Sequence, residues 1–584
     1  VNLESQPRPE YPRPQLRREE WQNLNGQWEF EIDHGASGRE RGLPEKERLA
    51  REITVPFAPE SELSGIGYTD FMDAVWYRRE VDIPVEWFDG RIKLHFGAVD
   101  YEAEVWVNGE SVGSHRGGYT PFSVDITEAA EPGVNAVTIC AEDDTCSPIQ
   151  PSGKQSQEYE PEGARYTRVT GIWQTVWLEP VPETHVDDLQ IEPDPENDAV
   201  HVDVSLSGEL VDGRIHATAT FNGESVGEVT VVTNGRYAGF TLSVDETHRW
   251  SPEEPNLYDL HLQLVADGET IDSVESYFGL RSVTLGDDCV YLNGEPRFQR
   301  LVLDQGYYPD GLYTAPSDDD LIEDIEIAKQ MGFDGARLHQ KVFEPRFLYH
   351  ADRLGYLVWD EHANWGIDHE SVDALGPFLQ EWIEVVKRDY NHPSVVGWTP
   401  FNETEPDQDD DLIRTIYRTT KALDPTRPVI DTSGWVHVET DLEDAHDYIQ
   451  DPEAFAESYS EIDGPVKKGS HSPVAWSEDL SYVSEFGGIW WNPDADDGWG
   501  YGDRPDGEAD FFERYRNMVE TLLGNEDMWA FCYTQLYDIE QEANGLYTYD
   551  REPKFDPARI REINEQIAAF EQSACRQRQE HPAE

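Results

Sequence analysis

The sequence predicts a multidomain chain of two antiparallel β-sandwiches followed by a (β/α)8 barrel, and three observations predict it. At 584 residues the chain exceeds what one hydrophobic core sustains. Between about Trp21 and Phe278 apolar residues alternate with period two, broken by Gly and Pro turns. From about Tyr291 short apolar runs alternate with amphipathic helical stretches, the pattern of a parallel sheet wrapped by helices.

The first unit, 1–182, contains the strand-like runs VWYRREVDIP, IKLHFGAVDYEAEVWVNG and AVTICAEDD, with Asn-Gly pairs at 25–26 and 108–109 as hairpin signals. The second, 183–281, continues the alternation in AVHVDVSLSG, RIHATATFNG, GEVTVVT and YDLHLQLVADG, over the length of one immunoglobulin-like sandwich. The third, 282–584, reads as strands near 298–303, 335–338, 356–361, 394–403, 428–431, 446–449, 482–487 and 529–535. Helices are expected at 318–332, 344–354, 377–389, 409–423, 510–523 and 557–573. The acidic start of DDDLIEDIEIAKQMG suits the positive end of a helix dipole.

Composition narrows the function. Apolar residues make up 38% and there are eighteen Trp, enough for filled cores. No run approaches the roughly 20 apolar residues that span a bilayer, and the N-terminus lacks the apolar stretch of a secretory signal, so a cytoplasmic protein is expected. The 119 acidic residues face 45 basic ones, a net of −74, with only ten Lys. The charge is dispersed along the chain, which disfavours nucleic acid and anionic membranes as partners. Self-repulsion on that scale is screened within about 3 Å in molar salt, so adaptation to a salt-rich cytoplasm is expected. The five cysteines (Cys140, Cys146, Cys289, Cys532 and Cys575) contain no CxxC, which disfavours zinc. Cys140 and Cys146 could pair, but free thiols are the expectation in a reducing compartment.

Chemistry in a (β/α)8 barrel sits at the C-terminal strand ends. Strand four ends in Asn402-Glu403 and strand seven in Ser484-Glu485, and these strands face one another across a closed barrel. Two converging carboxylates are what glycosidic bond cleavage requires. One protonates the leaving oxygen and the other attacks the anomeric carbon; about 5–5.5 Å between them implies retention and about 6.5–9.5 Å inversion. Glu403 is therefore expected to be a general acid/base with a raised pKa, and Glu485 an ionised nucleophile. In so acidic a chain a lone Glu is an ordinary solvated charge, but two at opposed strand ends are not.

The chain resembles glycoside hydrolase family two, the β-galactosidases and β-glucuronidases, almost end to end. LNGQWEF, VPFAPESELSGIG, WYRREVDIP, VWVNGESVGSHRGGYTPFSVDIT and YTRVTGIWQTVWLEPV resemble its jelly-roll sugar-binding sandwich. RWSPEEPNLYDLHLQL and FGLRSV resemble its immunoglobulin-like domain. NHPSVVGWTPFNETE resembles the acid/base signature, and SEFGG the nucleophile signature. The resemblance implies that Asn402 binds the sugar 2-hydroxyl, that Arg337 keeps the nucleophile ionised, and that Tyr448 donates to Glu485. It also implies that Tyr533 floors the glycone subsite and that His339, Asp360 and Glu361 bind glycone hydroxyls. The last three read equally well as strand-end or helix-capping residues, and Arg337 and Tyr448 as a surface pair and a core ring. Glu405 reads as a solvated loop acid; Trp365, Trp490 and Trp491 are sugar-stacking candidates that fit rim packing slightly better.

Glucuronidases of this family carry an Asn-x-Lys pair near strand eight, where this chain has Glu542 and Asn544. An acid there repels a carboxylate. The large β-galactosidases place an Asp before the segment matching VTGIW, where this chain has Arg165 and Arg168, and they carry two further C-terminal domains. The expectation is a retaining exo-β-glycosidase on neutral sugars, β-galactosides first, then β-xylosides, arabinosides or galactofuranosides, with β-glucuronides disfavoured. No cofactor is required; the resemblance allows Mg2+ or Na+ near the site, and a homo-oligomer. Two rival classes are a metal-dependent hydrolase, which no HxH or HExxH spacing supports, and a non-catalytic carbohydrate-binding protein, which retention of both Glu residues disfavours.

Overall fold

The computed structural model describes residues 6–286, 289–459, 480–492 and 498–572. The first unit is an antiparallel sandwich. A sheet ordered Gln22–Asn23, Val176–Val181, Arg91–Phe96, Phe122–Asp125 faces one ordered Arg51–Val55, Gly26–Ile32, Ala74–Ile83, Gly133–Glu142, Glu102–Val107, Glu110–Arg116. Alternate residues of the two sheets, among them Trp28, Phe30, Tyr77, Leu94, Phe96, Ile139 and Leu178, fill the space between. Asn108-Gly109, with φ of 52° and 85°, is the tight turn expected of an Asn-Gly pair. Asn25-Gly26 is not. There the chain leaves one sheet and enters the other, and the Asn25 side chain is held by the carbonyls of Pro7 and Arg8 and by Thr175.

In the immunoglobulin-like unit two long strands, Ala199–Phe221 and Glu224–Ser243, pair with each other and bend. The first half of Ala199–Phe221 pairs with Val186–Asp194 and its second half with Tyr258–Ala266. Register shifts between Ser205 and Gly213 mark where it passes from one layer to the other.

The barrel strands are β1 (Gln299–Asp304), β2 (Gly335–Leu338), β3 (Leu357–Glu361), β4 (Val395–Thr399, continued by Phe401–Asn402), β5 (Thr432–Ser433), β6 (Asp444–Asp447), β7 (Tyr482–Gly487) and β8 (Ala530–Thr534). Seven form one parallel sheet in the order β4-β3-β2-β1-β8-β7-β6, and β5 pairs with the extension of β4. Helices α1 (Asp318–Gln330), α2 (Pro345–Leu354), α3 (Leu375–Asp389), α4 (Asp410–Leu423), α5 (Pro452–Ser458), α6 (Glu508–Leu523) and α7 (Pro557–Asn564) wrap it. Inside the barrel Trp359, Tyr482 and Trp529 pack together. Gly397 admits the Trp359 ring, which a Cβ there would meet at 2.4 Å.

Three expectations shift. Strand five, expected at 428–431, pairs at Thr432–Ser433, with Val429 making one bridge to Trp398. Pro428 has no N–H to give, and Asp431 turns its carboxylate to the amides of Val438 and Glu439. Strand six begins two residues early, which leaves Tyr448 just beyond it. The helix expected over 557–573 ends at Asn564, whose side chain binds Tyr515 and the Met331 carbonyl; residue 573 lies outside the described residues. Cys140, Cys146 and Cys532 are free thiols among the described residues, and Cys575 also falls outside. Among the described residues no helix is long and apolar enough to cross a membrane.

The first sandwich docks its loop end on the barrel mouth. Trp173 packs against Tyr313 at 5.3 Å, its carbonyl accepts from Thr314, and Ser152 and Gly153 donate backbone N–H to the Trp365 carbonyl. The terminal arm adds Arg8, paired with Glu344.

Candidate active site

Glu403 and Glu485 meet at the C-terminal end of the barrel around one imidazole. Nδ1 of His446, on β6, lies 2.7 Å from Glu403 Oε1, and its Nε2 lies 3.7 Å from Glu485 Oε2. Glu403 follows the β4 extension with φ of 50° and its amide on the Ser433 carbonyl. A non-glycine residue in that left-handed region is strained, a feature concentrated at functional sites. Glu485 reaches the interior through an irregularity. The register of β7 shifts between Val483 and Phe486, so Ser484 and Glu485 both face inward and Phe486 turns back out.

Around Glu485, Tyr448 donates to Oε1 and Arg337 Nη1 lies 3.4 Å from Oε2. Burial and the neighbouring Glu485 hold the Tyr448 phenol well above its ordinary pKa, so it stays a donor. Arg337, 1% exposed, is the hub. Its Nε binds Glu361 at 2.7 Å, Nη1 the Ser484 carbonyl at 2.8 Å, and Nη2 both His339 Nδ1 at 3.0 Å and Asn402 Oδ1 at 2.6 Å. Asn402 thereby points its amide nitrogen away from Arg337, and among the described residues that buried nitrogen has no hydrogen-bond partner. His339 is kept neutral by burial and by the cations Lys154 and Arg337. Glu361, its pKa raised by burial against the pull of Arg337, braces Arg337 from below.

Glu403 departs from the expected raised pKa. Burial pushes it up, but the hydrogen bond and charge of His446, with Lys154 and Arg337 beyond, hold the carboxyl below its ordinary value. The Glu403 carboxyl is thus not isolated: it lies in a hydrogen bond with His446 Nδ1.

Two expected residues lie elsewhere because of strand alternation. Asp360 is in register with Leu338 and Trp398 and faces α3, where burial and Asp389 raise its pKa. Tyr533 is in register with Phe486 and packs on Tyr515 of α6 at 5.1 Å, so it does not floor the site; Cys532 takes the inward position. Glu405 is exposed. Trp491 packs among Phe511 and Phe555, and Trp365 carries Lys154 over its ring. Arg168 is bound to the carbonyls of Thr69, Ser156 and Glu158, within its own domain.

Sequence reasoning missed two residues. His446 stands two before Tyr448, so a strand's period placed both on one face, and that signal was available. Lys154 arrives from a sandwich loop, and nothing local to it announced the barrel. Among the described residues no group of three or more His, Cys, Asp or Glu could hold a metal ion.

Three family models match in succession: the sugar binding domain of glycosyl hydrolases family 2 over residues 21–182, the family 2 domain over 184–281, and its TIM barrel domain over 314–478. A β-galactosidase of Thermoanaerobacter pseudethanolicus is 27% identical over 430 residues, 71% of this chain and 55% of that protein, so the chain spans about half of that relative's length. A β-glucuronidase of Paenibacillus borealis is 26% identical over 72% of this chain and 74% of its own. A β-glucuronidase from Ruminococcus gnavus, solved with D-glucuronic acid, superposes with a TM-score of 0.78 at 20% identity, over 94% of this chain and 99% of that one; that likeness speaks for the fold. With all three of its domains present in order, the chain belongs to glycosyl hydrolases family 2.

Proposed function

We propose that this protein is a retaining exo-β-glycosidase. The observation that carries the reading is the pair of carboxylates flanking His446, with Arg337 and Tyr448 both donating to Glu485. Glu485 attacks the anomeric carbon while the bond to the leaving oxygen breaks and that oxygen takes the Glu403 proton. Glu403 is left as a carboxylate, oriented by its hydrogen bond with His446 Nδ1. Water then enters, Glu403 removes its proton, and the glycosyl–Glu485 ester is cleaved with net retention. Asn402 Nδ2 is the donor free to meet the 2-hydroxyl as charge develops at the ring.

A neutral glycone fits best, with β-galactosides first and β-xylosides, arabinosides or galactofuranosides next. Glu542 occupies the position where a sugar carboxylate would have to dock, its own carboxylate held by Tyr166 and Asn544. The relatives named β-glucuronidases make a β-glucuronide the comparison substrate. An aryl-glycoside panel at molar salt, with proton NMR of the first-formed anomer, tests both points. Turnover of a neutral β-glycoside with retained configuration is expected; first-formed α-anomer, or no turnover of any glycoside, refutes the mechanism or the activity.

A further inference from the structure

Lys154 has no role in the chemistry above, yet it stands at the site. It belongs to the sandwich loop whose Ser152 and Gly153 amides bind the Trp365 carbonyl. Gly153, at φ of 56°, lies so close to the barrel that a Cβ would sit 2.2 Å from the Gln340 carbonyl, so only glycine lets the loop dock there. The next residue, Lys154, is 6% exposed, with Nζ 3.9 Å above the Trp365 ring. Trp365 follows Asn364, which exchanges hydrogen bonds with the backbone of Asn402. The ring under the ammonium is thus the chain neighbour of a residue bonded to Asn402.

Among the described residues Nζ makes no hydrogen bond and no ion pair within 4 Å. In a chain with 119 acidic residues to 45 basic ones, this ammonium instead has the face of the Trp365 ring as its close contact. The opposing charges that act on it are Glu542, Glu485 and Glu403, in that order of influence, and the ammonium in turn acts on His339. Arg165 lies over the same ring at 5.2 Å but spends its guanidinium on the carbonyls of Gly153 and Gln155. Three carboxylates around one ammonium leave no surplus positive charge for an anionic sugar. An uncharged hydroxyl can accept from it without adding a fourth negative charge.

We propose that Lys154, supplied by the N-terminal sandwich, is a glycone-binding residue whose ammonium donates to a hydroxyl of an uncharged sugar. The proposal rests on the glycosidase reading for its substrate class, and binding measurements separate the two. Free neutral monosaccharides are titrated into E485Q and E485Q/K154M proteins by calorimetry, with thermal melts and the neutral donor variant Lys154→Gln controlling for folding. In parallel, kcat/KM is measured for wild type and K154M on aryl glycosides and their monodeoxy analogues. Loss of one charged donor is expected to weaken binding and kcat/KM about tenfold to a hundredfold. For the one monodeoxy glycone lacking the contacted hydroxyl, K154M should cost less than threefold more. Unchanged binding in E485Q/K154M, or no sugar bound by E485Q, overturns the proposal; so does a wild-type preference for a uronide that K154M abolishes. Sugar binding without turnover by the wild type would sink the glycosidase reading and leave Lys154 as assigned.

Discussion

Replacing His446 with Leu removes the hydrogen bond that holds Glu403 below its ordinary carboxyl pKa, while a similar volume stays beside Gly434. The groups facing this ring are Glu403, Glu485, Arg337 and Ser433. A hydrogen bond to a charged group contributes about 1.5–3 kcal/mol, and one pKa unit corresponds to about 1.4 kcal/mol. The Glu403 pKa should therefore rise. Its protonated form then persists to higher pH, so the basic limb of kcat/KM, which reports the general acid of the free enzyme, moves up. The assay is a pH profile of kcat/KM on a slow, unactivated glycoside, with melting curves to exclude unfolding. A basic limb that stays in place, or moves down, refutes the account in which His446 holds Glu403 below its ordinary value.

Glu485→Gln is expected to abolish turnover, whereas Glu403→Ala should slow unactivated glycosides far more than 2,4-dinitrophenyl glycosides in the first step; equal, small losses in steady-state rates would contradict the assignments. Tyr448→Phe deletes one donor to Glu485 and should cost about tenfold to a hundredfold in kcat/KM, with little change in melting temperature; an unaltered rate constant would remove Tyr448 from the site. Transfer from molar to millimolar salt should lower the melting temperature and activity as screening of the −74 net charge is lost, which differential scanning calorimetry across a salt series measures.

Much of this molecule is legible without coordinates. Period-two runs such as 133–142 and the run from 335–338 to 356–361 declare their strands because each buries one face or both. The acid pair was legible for the same reason: a barrel puts strand ends four and seven across one mouth. Which side a given residue takes at those ends was not. Tyr533 and Asp360 sit on strands that were correctly located, but one step of alternation turns them toward α6 and α3. Glu485 breaks the same alternation through the register shift in β7, a backbone event with no local sequence mark.

The chain alone determined its three units, the strand-helix order of the barrel, the acid pair and an excess of negative charge, because these depend on periodicity and composition, which are properties of neighbouring residues. Only the tertiary structure decided that Glu403 meets His446, that Arg337 binds Glu361, Asn402 and Glu485 at once, and that Lys154 crosses from another domain. Such couplings act over a few ångströms between residues tens to hundreds of positions apart, and only folding brings those positions together.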